Sequence, residues 1–473
     1  MPSTIELNID HLPTPRRRAN GGDDDPGPFR IVVLGDFSGR PLDERAPLGE
    51  RLPLRIDIDN FDAQLARLAP RAEIAGLQDR QGGPLRIEVE TMDEFSADGI
   101  VARLPADALA RAGASPPPAP ATPSRRDDAA DLMKRLLGGE LPAGAPALAA
   151  APASNRPEAV VDRLIRQLVG DQPAAPEPVP TAVTDAAAPL LGHVLRDPAW
   201  RHLECAWRAV DRFVRTLDMD DGQVRLELFD CRADELLADL SACAGDPARS
   251  GLAPALKGDG RGCDLVVTLE EFGPGLPELT LLGGLAAVAA GWGAVLLAGA
   301  APALAAVATS QDAQVLASDE SRVWRALRES AIASHVGLTF PRLLARLPYG
   351  PRHDPVAAFA FDELADPAGG SLHDRLAWRS AALDAALLLA QGHTGDGVET
   401  EVLMADLPAF IDRSGDEARL QAVAEAYLGE GEAGLLQAAG LITLQSDRRA
   451  PNARVTAWRS IAATGGELAG SWR

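Results

Sequence analysis

Phe29-Arg30-Ile31-Val32-Val33-Leu34-Gly35-Asp36-Phe37-Ser38-Gly39 is a β-branched apolar run that breaks into a glycine-bounded turn. That order predicts a strand leading into a tight turn. Outward from it, Leu54-Arg55-Ile56-Asp57-Ile58-Asp59 alternates with period two, as a half-buried strand does. Phe61, Leu65 and Leu68 then share one helical face, with Asp59 or Asn60 as the N-cap. Residues 85–89 alternate again, and Met92-Asp93-Glu94-Phe95 opens another helical stretch. Strands interleaved with helices predict a small α/β module over 28–112, behind a flexible N-terminal arm, 1–27.

From residue 113 to 157 the composition turns to Pro, Ala and Gly without periodicity, the mark of a linker. Within it, 130–137 has a short apolar stripe, Leu132, Met133, Leu136 and Leu137, stopped by Gly138-Gly139. A helix there either docks back on the body or serves a partner groove as a recognition peptide. Residues 158–473 read as a second, larger α/β module. Helices are expected at 159–169 and over 188–217, the latter broken at Asp197-Pro198, with Trp200, Leu203, Trp207, Val210 and Val214 on its apolar face. Strands follow at 224–229 and 265–268, with a helix at 233–240 between them. Further helices are expected at 321–329, 340–345 and 376–389, and strands at 400–404 and 441–444. The predicted fold class is α/β, two modules joined by a Pro/Ala-rich linker.

The 473 residues are 46% hydrophobic and 24% charged, with a net charge of −22. That acidity argues against nucleic acid and anionic lipid as partners. Arginine supplies all but two of the 46 cations, the exceptions being Lys134 and Lys257. No charge occurs from Leu279 to Gln311, yet its Ala and Gly content and Pro302 predict a buried helix, a central strand at 294–298 and a second helix, not a membrane span. Cys205, Cys231, Cys243 and Cys263 are dispersed, as buried thiols of a reducing compartment would be, and Met1 to Arg18 lacks a secretory signal pattern. The seven histidines have no paired ligand spacing, and no phosphate loop, nucleophile elbow or dinucleotide fingerprint occurs. Gly258-Asp259-Gly260-Arg261-Gly262 precedes a strand, the wrong order for a phosphate cradle, and reads as a loop. Asp36 or Ser38 could be catalytic, but without a second group at suggestive spacing the turn reads as structural. No enzyme, cofactor or metal site is expected.

The turn at 35–39, the 54–61 stretch, Leu68-Ala69-Pro70-Arg71 and 95–105 together resemble the small sheath subunit of type VI secretion systems, the TssB or VipA family. The second module resembles the large sheath subunit, TssC or VipB. That likeness is carried by 195–208, Trp324-Arg325-Ala326-Leu327-Arg328-Glu329-Ser330 and, most specifically, Val336-Gly337-Leu338-Thr339-Phe340-Pro341-Arg342-Leu343-Leu344-Ala345-Arg346-Leu347-Pro348-Tyr349-Gly350-Pro351. Weaker likeness extends through 400–406 and 439–444. Departures stand at Ala331-Ile332, where the family has an acidic pair, and at Arg379-Ser380, where it has Gly-Asn. The chain also ends sooner after Leu444 than the large subunit does, which predicts a shortened module.

The resemblance implies a cytoplasmic, non-enzymatic structural protein, both sheath modules fused in one chain, acting by protein–protein assembly. Gly35, Asp36, Phe37, Gly39, Trp207, Arg328, Glu329, Pro341, Arg342, Pro348 and Tyr349 are implied as structural residues of its motifs. Implied partners are other sheath, inner-tube or baseplate components, a second copy of the chain, and the disassembly ATPase ClpV at Leu132, Met133, Leu136 and Leu137. Two other readings stay open here: a truncated accessory that caps or regulates the sheath or baseplate, and an α/β enzyme on a sheath-like scaffold using Asp36 or Arg328-Glu329.

Overall fold

A computed structural model describes residues 27–79, 82–104 and 181–472, apart from 220, 244, 366–369, 396, 413–418 and 471. Its first strand, β1 (Phe29–Gly35), is buried at every position. A strand buried on both faces reads as an unbroken apolar run, and it belongs in the middle of a parallel sheet. There it lies, between two strands more than 190 residues away in sequence. The remaining strands of the first segment are β2 (Leu54–Ile56), β3 (Arg71–Gln78) and β4 (Pro84–Glu88). The second segment adds β5 (Val224–Asp230), β6 (Leu265–Phe272), β7 (Val295–Ala300), β8 (Val336–Phe340), β9 (Leu343–Leu344), β10 (Trp378–Arg379), β11 (Val402–Met404), β12 (Ile411–Asp412), β13 (Arg419–Leu420), β14 (Leu441–Ser446) and β15 (Ala453–Val455).

Nine strands form one sheet in the order β11-β15-β14-β8-β7-β6-β1-β5-β2. β1 pairs in parallel with β5 along its whole length, from Phe29 opposite Val224 to Gly35 opposite Asp230. Its other side pairs with β6, from Ile31 opposite Leu265 to Leu34 opposite Thr268. β2, β15 and β11 run antiparallel to their neighbours. Three two-stranded ladders, β3–β4, β9–β10 and β12–β13, lie outside the large sheet.

Helices cover both faces. In chain order those of seven residues or more are α1 (Phe61–Leu68), α2 (Ala97–Arg103), α3 (Thr181–Arg196), α4 (Pro198–Thr216), α5 (Ala233–Ala242), α6 (Leu276–Gly291), α7 (Pro302–Thr309), α8 (Asp319–Glu329), α9 (Ala382–Thr394) and α10 (Glu430–Ala438). Phe29, Ile31 and Val33 enter one core with Trp200 and Trp207 of α4 and the buried face of α9. Val32 and Leu34 enter the other, with Leu236 of α5 and Leu282 of α6. The charge-free stretch is α6, β7 and α7, and no helix among the described residues is long and apolar enough to cross a membrane. Near the end of the chain, the Trp472 ring stands edge-on to Phe29 at 6.3 Å, while His393 stacks on the same phenylalanine at 4.6 Å.

The α/β class agrees with the sequence expectation, and the Asp197-Pro198 break falls between α3 and α4. The expected helix at 340–345 is a correction: β8 ends at Phe340, a cis Phe340–Pro341 bond follows, and Leu343 and Leu344 pair with β10. Phe340 is paired with β14 inside β8, and a residue before proline is held out of the helical region, so the Leu-Leu-Ala pattern is taken up by strand pairing instead. The helix expected over 376–389 begins only at Ala382, because Trp378 and Arg379 are spent on β10. β3 was not foreseen, since its Ala and Gly are weak strand formers. The stripe at 130–137 and the helix expected at 159–169 lie outside the described residues.

Deleting residues 28–39 would leave β5 and β6 without their shared neighbour. The expected outcome is loss of the cooperative urea transition and of near-ultraviolet circular dichroism, with dye-accessible apolar surface; a cooperative transition near the intact chain's midpoint would refute the central role of β1.

Candidate functional site

The two segments meet at the turn that follows β1. Asp230, at the end of β5, accepts hydrogen bonds at Oδ1 from the Phe37 and Ser38 amides, 2.8 and 3.0 Å, and at Oδ2 from Ser38 Oγ, 2.7 Å. Asp36 Oδ1 closes the turn by accepting from the Gly39 amide at 2.7 Å. Gly39 has φ +62°, and a Cβ there would lie 2.0 Å from the Arg71 carbonyl oxygen, so both conformation and space require glycine. Arg45, nearly without exposed side chain, bridges the two carboxylates, 2.5 Å to Asp36 and 3.2 Å to Asp230. Phe37 stands edge-on to Trp207 of α4, as Phe61 does, each with ring centres 5.8 Å apart. The Trp207 indole N–H donates to the Phe37 carbonyl at 2.9 Å. Asp197 acts twice: it caps α4 through the Ala199 and Trp200 amides and accepts from the Ala75 amide of β3 at 2.9 Å.

Charge is also buried along this seam. Arg30, inside β1, donates to Glu227 on β5 and to the carbonyls of Ala255, Leu256 and Gly262. Deeper in the second segment, Arg346 donates to Glu204 at 2.7 Å and to both oxygens of Glu363, 2.7 and 3.0 Å, and lies 4.1 Å over the Tyr349 ring. The Tyr349 amide donates to Glu363, while its hydroxyl donates to the Phe95 carbonyl, 3.2 Å away in the first segment. Arg208 donates to Glu204 and to the Tyr349 hydroxyl. Burial by itself would raise the pKa of Glu204; Arg346 and Arg208 outweigh it and hold the carboxyl below its ordinary value. Asp98 of α2 accepts from the Ala357 and Ala358 amides, both 3.0 Å, tying the loop beyond Tyr349 to the first segment.

The sequence-singled residues thus fall into three places. Gly35, Asp36, Phe37, Gly39, Trp207 and Tyr349 converge on the seam. Pro341, Arg342 and Pro348 belong to the segment after β8, where Pro341 and Pro348 are buried and Arg342 forks onto Glu425, with Glu271 at 3.5 Å. Arg328 and Glu329 stand elsewhere: Arg328 donates to the Ile461 carbonyl at 2.8 Å and Glu329 is exposed. Leu132, Met133, Leu136 and Leu137 lie outside the described residues. Sequence reasoning missed Asp230, Arg45, Glu204 and Glu363. Only Glu204 left a signal, a carboxylate in the middle of the Trp200–Trp207 apolar stripe, where charge is kept only if paired.

An open cleft of about 500 Å³ lies beside the turn, lined in part by Asp36, His202 and Glu270. Asp36 is spent on the Gly39 amide and on Arg45, which gives it a structural occupation.

Trp207→Ala is expected to cost about 3–5 kcal/mol, and Trp207→Phe about 1–2 kcal/mol, which keeps the ring contacts but strands the Phe37 carbonyl. Urea unfolding of the two variants checks both size and order. A second test concerns Glu425. Burial opposes its charge, but Arg342 and His373 pull its pKa from 4.5 down to about 2. With the folded value below the unfolded one, this stability is present above about pH 4.5 and is lost as pH falls toward 2, on the order of 3 kcal/mol in all. Urea midpoints measured from pH 7 to pH 3 should fall less steeply in Glu425→Gln than in the parent chain.

Known proteins carry the same two patterns. Residues 182–462, more than half of the chain, match the family described as VipB: EvpB/VC_A0108, tail sheath N-terminal domain. Residues 26–110 match T6SS_VipA, described as type VI secretion system, VipA, VC_A0107 or Hcp2. The type VI secretion system sheath protein TssC1 of Pseudomonas aeruginosa is 30% identical over 207 residues, 40% of this chain and 40% of the relative. The sheath protein TssB1 of the same organism is 34% identical over 80 residues, 16% of this chain and 46% of the relative. The chain therefore spans less than half the length of each of these relatives. The N-terminal match contains β1 and its turn, and the C-terminal match contains the strands and the tryptophan that receive them: the chain belongs to the VipB tail sheath family and carries a VipA-matching segment in the same polypeptide.

Proposed function

We propose that this chain works as a non-enzymatic structural subunit of a type VI secretion sheath, its small- and large-subunit modules, 28–112 and 158–473, acting as one body joined by the 113–157 linker. The observation that carries this reading is the position of β1, a strand of the VipA segment at the centre of a sheet otherwise built mostly from the VipB segment. Fusion fixes the two modules at equal number and replaces their association by an intramolecular step at high effective concentration. The seam residues around Gly35, Asp36, Phe37, Gly39 and Trp207, and the cluster around Tyr349, hold that body together and carry out no chemistry.

Assembly with neighbours then proceeds by main-chain pairing at the sheet ends. Among the described residues β2 and β11 are the terminal strands, each with one unpaired side. With a net charge of −22, copies repel one another at long range, so contacts between protomers need local charge complementarity. Partners on this reading are further copies and other sheath, inner-tube or baseplate components, with ClpV reading the Leu132, Met133, Leu136 and Leu137 stripe. A cytoplasmic location is supported by four free cysteines, three of them buried.

Negative-stain images of the purified full chain, alone and mixed with inner-tube protein, test the proposal. Hollow tubes or curved sheath fragments are expected in at least one of the two samples; monodisperse single copies in both would overturn it.

A further inference from the structure

The loop beyond Tyr349 carries an apolar groove of about 240 Å³ that nothing among the described residues fills. Phe359 and Phe361 are its two buried aromatics, edge to face with ring centres 6.4 Å apart. Pro355 and Ala360 are exposed, Val356 is half-buried, and Asp362 adds one carboxylate to the lining. There is room for one or two large apolar side chains, since a cavity of about 150 Å³ already holds a benzene ring. Polar ties fix its shape. Asp98 of α2 holds the Ala357 and Ala358 amides, both at 3.0 Å, between Val356 and Phe359. The Gly350 amide donates to the Asp354 carbonyl at 2.7 Å, and the Glu363 amide to the Tyr349 carbonyl at 2.8 Å.

The course of the chain points to the occupant. α2 leads directly to Leu104, the last described residue before 105–180, which lies about 9 Å along the helix axis from Asp98. The chain resumes at Thr181 in α3, and the two helices share one core through Ile100, Leu104, Leu191 and Val194. Residues 105–180 therefore leave and re-enter the body at neighbouring helices, one of them hydrogen-bonded to the groove loop. Leu132 stands 28 residues beyond Leu104, a tether that at full extension covers roughly 100 Å. Reach is ample. Leu132, Met133, Leu136 and Leu137 have the spacing of one helical face. A groove this small holds a free peptide weakly, but a tethered segment meets it at an effective concentration on the order of millimolar. That advantage belongs to the chain's own stripe and not to a dilute partner. Charge agrees: 351–362 has Asp354 and Asp362 against Arg352, whereas 130–137 has Lys134 and Arg135 against Asp131.

We infer that this groove is the docking site of the same chain's Leu132-Met133-Lys134-Arg135-Leu136-Leu137 stretch, its apolar side chains seated on Phe359 and Phe361 and its cations beside Asp362. The docking needs only the chain itself and does not rest on the reading of the stripe by ClpV. Where both hold, groove and reader compete for the same four apolar residues.

Disulfide trapping in the full chain tests this. Met133→Cys is combined with Ala360→Cys, and in a second chain with Glu329→Cys, exposed on α8 over the other core. Under mild oxidation the pair with Ala360→Cys should close within one chain, independently of protein concentration, and at least about tenfold faster than the pair with Glu329→Cys. Adding Leu132→Asp and Leu136→Asp, which leave every described residue unaltered, should slow it to the rate of the second pair, because burying an unpaired charge is unfavourable. Equal rates for the two pairs, a rate untouched by the two aspartates, or a disulfide formed only between copies would each overturn the assignment. No arm needs tube formation, so failure here leaves the sheath reading standing, and absence of tubes leaves this one standing.

Discussion

Everything in this molecule depends on seven residues, Phe29–Gly35, filling the gap between β5 and β6. A strand in the middle of a parallel sheet has both edges hydrogen-bonded and both faces buried, so nothing else in the chain can substitute for it. Its odd-numbered apolar residues feed one core and its even-numbered ones the other. Remove it and both layers lose their common floor. That is why a segment too small to bury a core of its own is stable here: it borrows the core of the rest of the chain, and completes it in return.

Polar groups make the junction specific where apolar burial alone would leave its register loose. The Asp230 carboxylate pins two successive amides and a hydroxyl of the turn, which sets how far β1 slides along β5. Arg30 does the same from inside the strand, through Glu227 and three carbonyls. Buried ion pairs add little net stability compared with well-packed apolar groups, but a wrong register would strand a buried charge at a cost of several kcal/mol. The Tyr349 hydroxyl on the Phe95 carbonyl and Asp98 on the Ala357 and Ala358 amides extend that control to the far side of the first segment.

Local pattern was a good guide where one physical effect dominated. The Asp197-Pro198 break, the apolar stripe of α4 and the helix–strand–helix organisation of the charge-free stretch were all legible, because capping, periodicity and the weak hydrophobicity of Ala and Gly act within a few residues. The segment after β8 was not. Leu343-Leu344-Ala345 carries a helical composition, but Phe340 is spent on β8 and a partner strand 35 residues later takes up Leu343 and Leu344. Likewise Glu204 betrayed itself by interrupting an apolar stripe, whereas Arg45 and Glu363 lie in polar loops where a buried charge looks like any exposed one.

By itself, the sequence determined the α/β class, the position of most elements, the strand and turn at 29–39, and the two family resemblances, since all of these are written in short-range order. Tertiary structure alone decided that the two modules share one sheet, that β1 sits between β5 and β6, and that Arg30, Arg45, Glu204, Arg346 and Glu363 are buried in pairs. The physical reason is distance along the chain. β1 and its neighbours stand more than 190 residues apart and the charge partners sit on different elements, so neither leaves a local periodicity, and their pairing is settled only when burial and hydrogen bonding are satisfied over the whole fold at once.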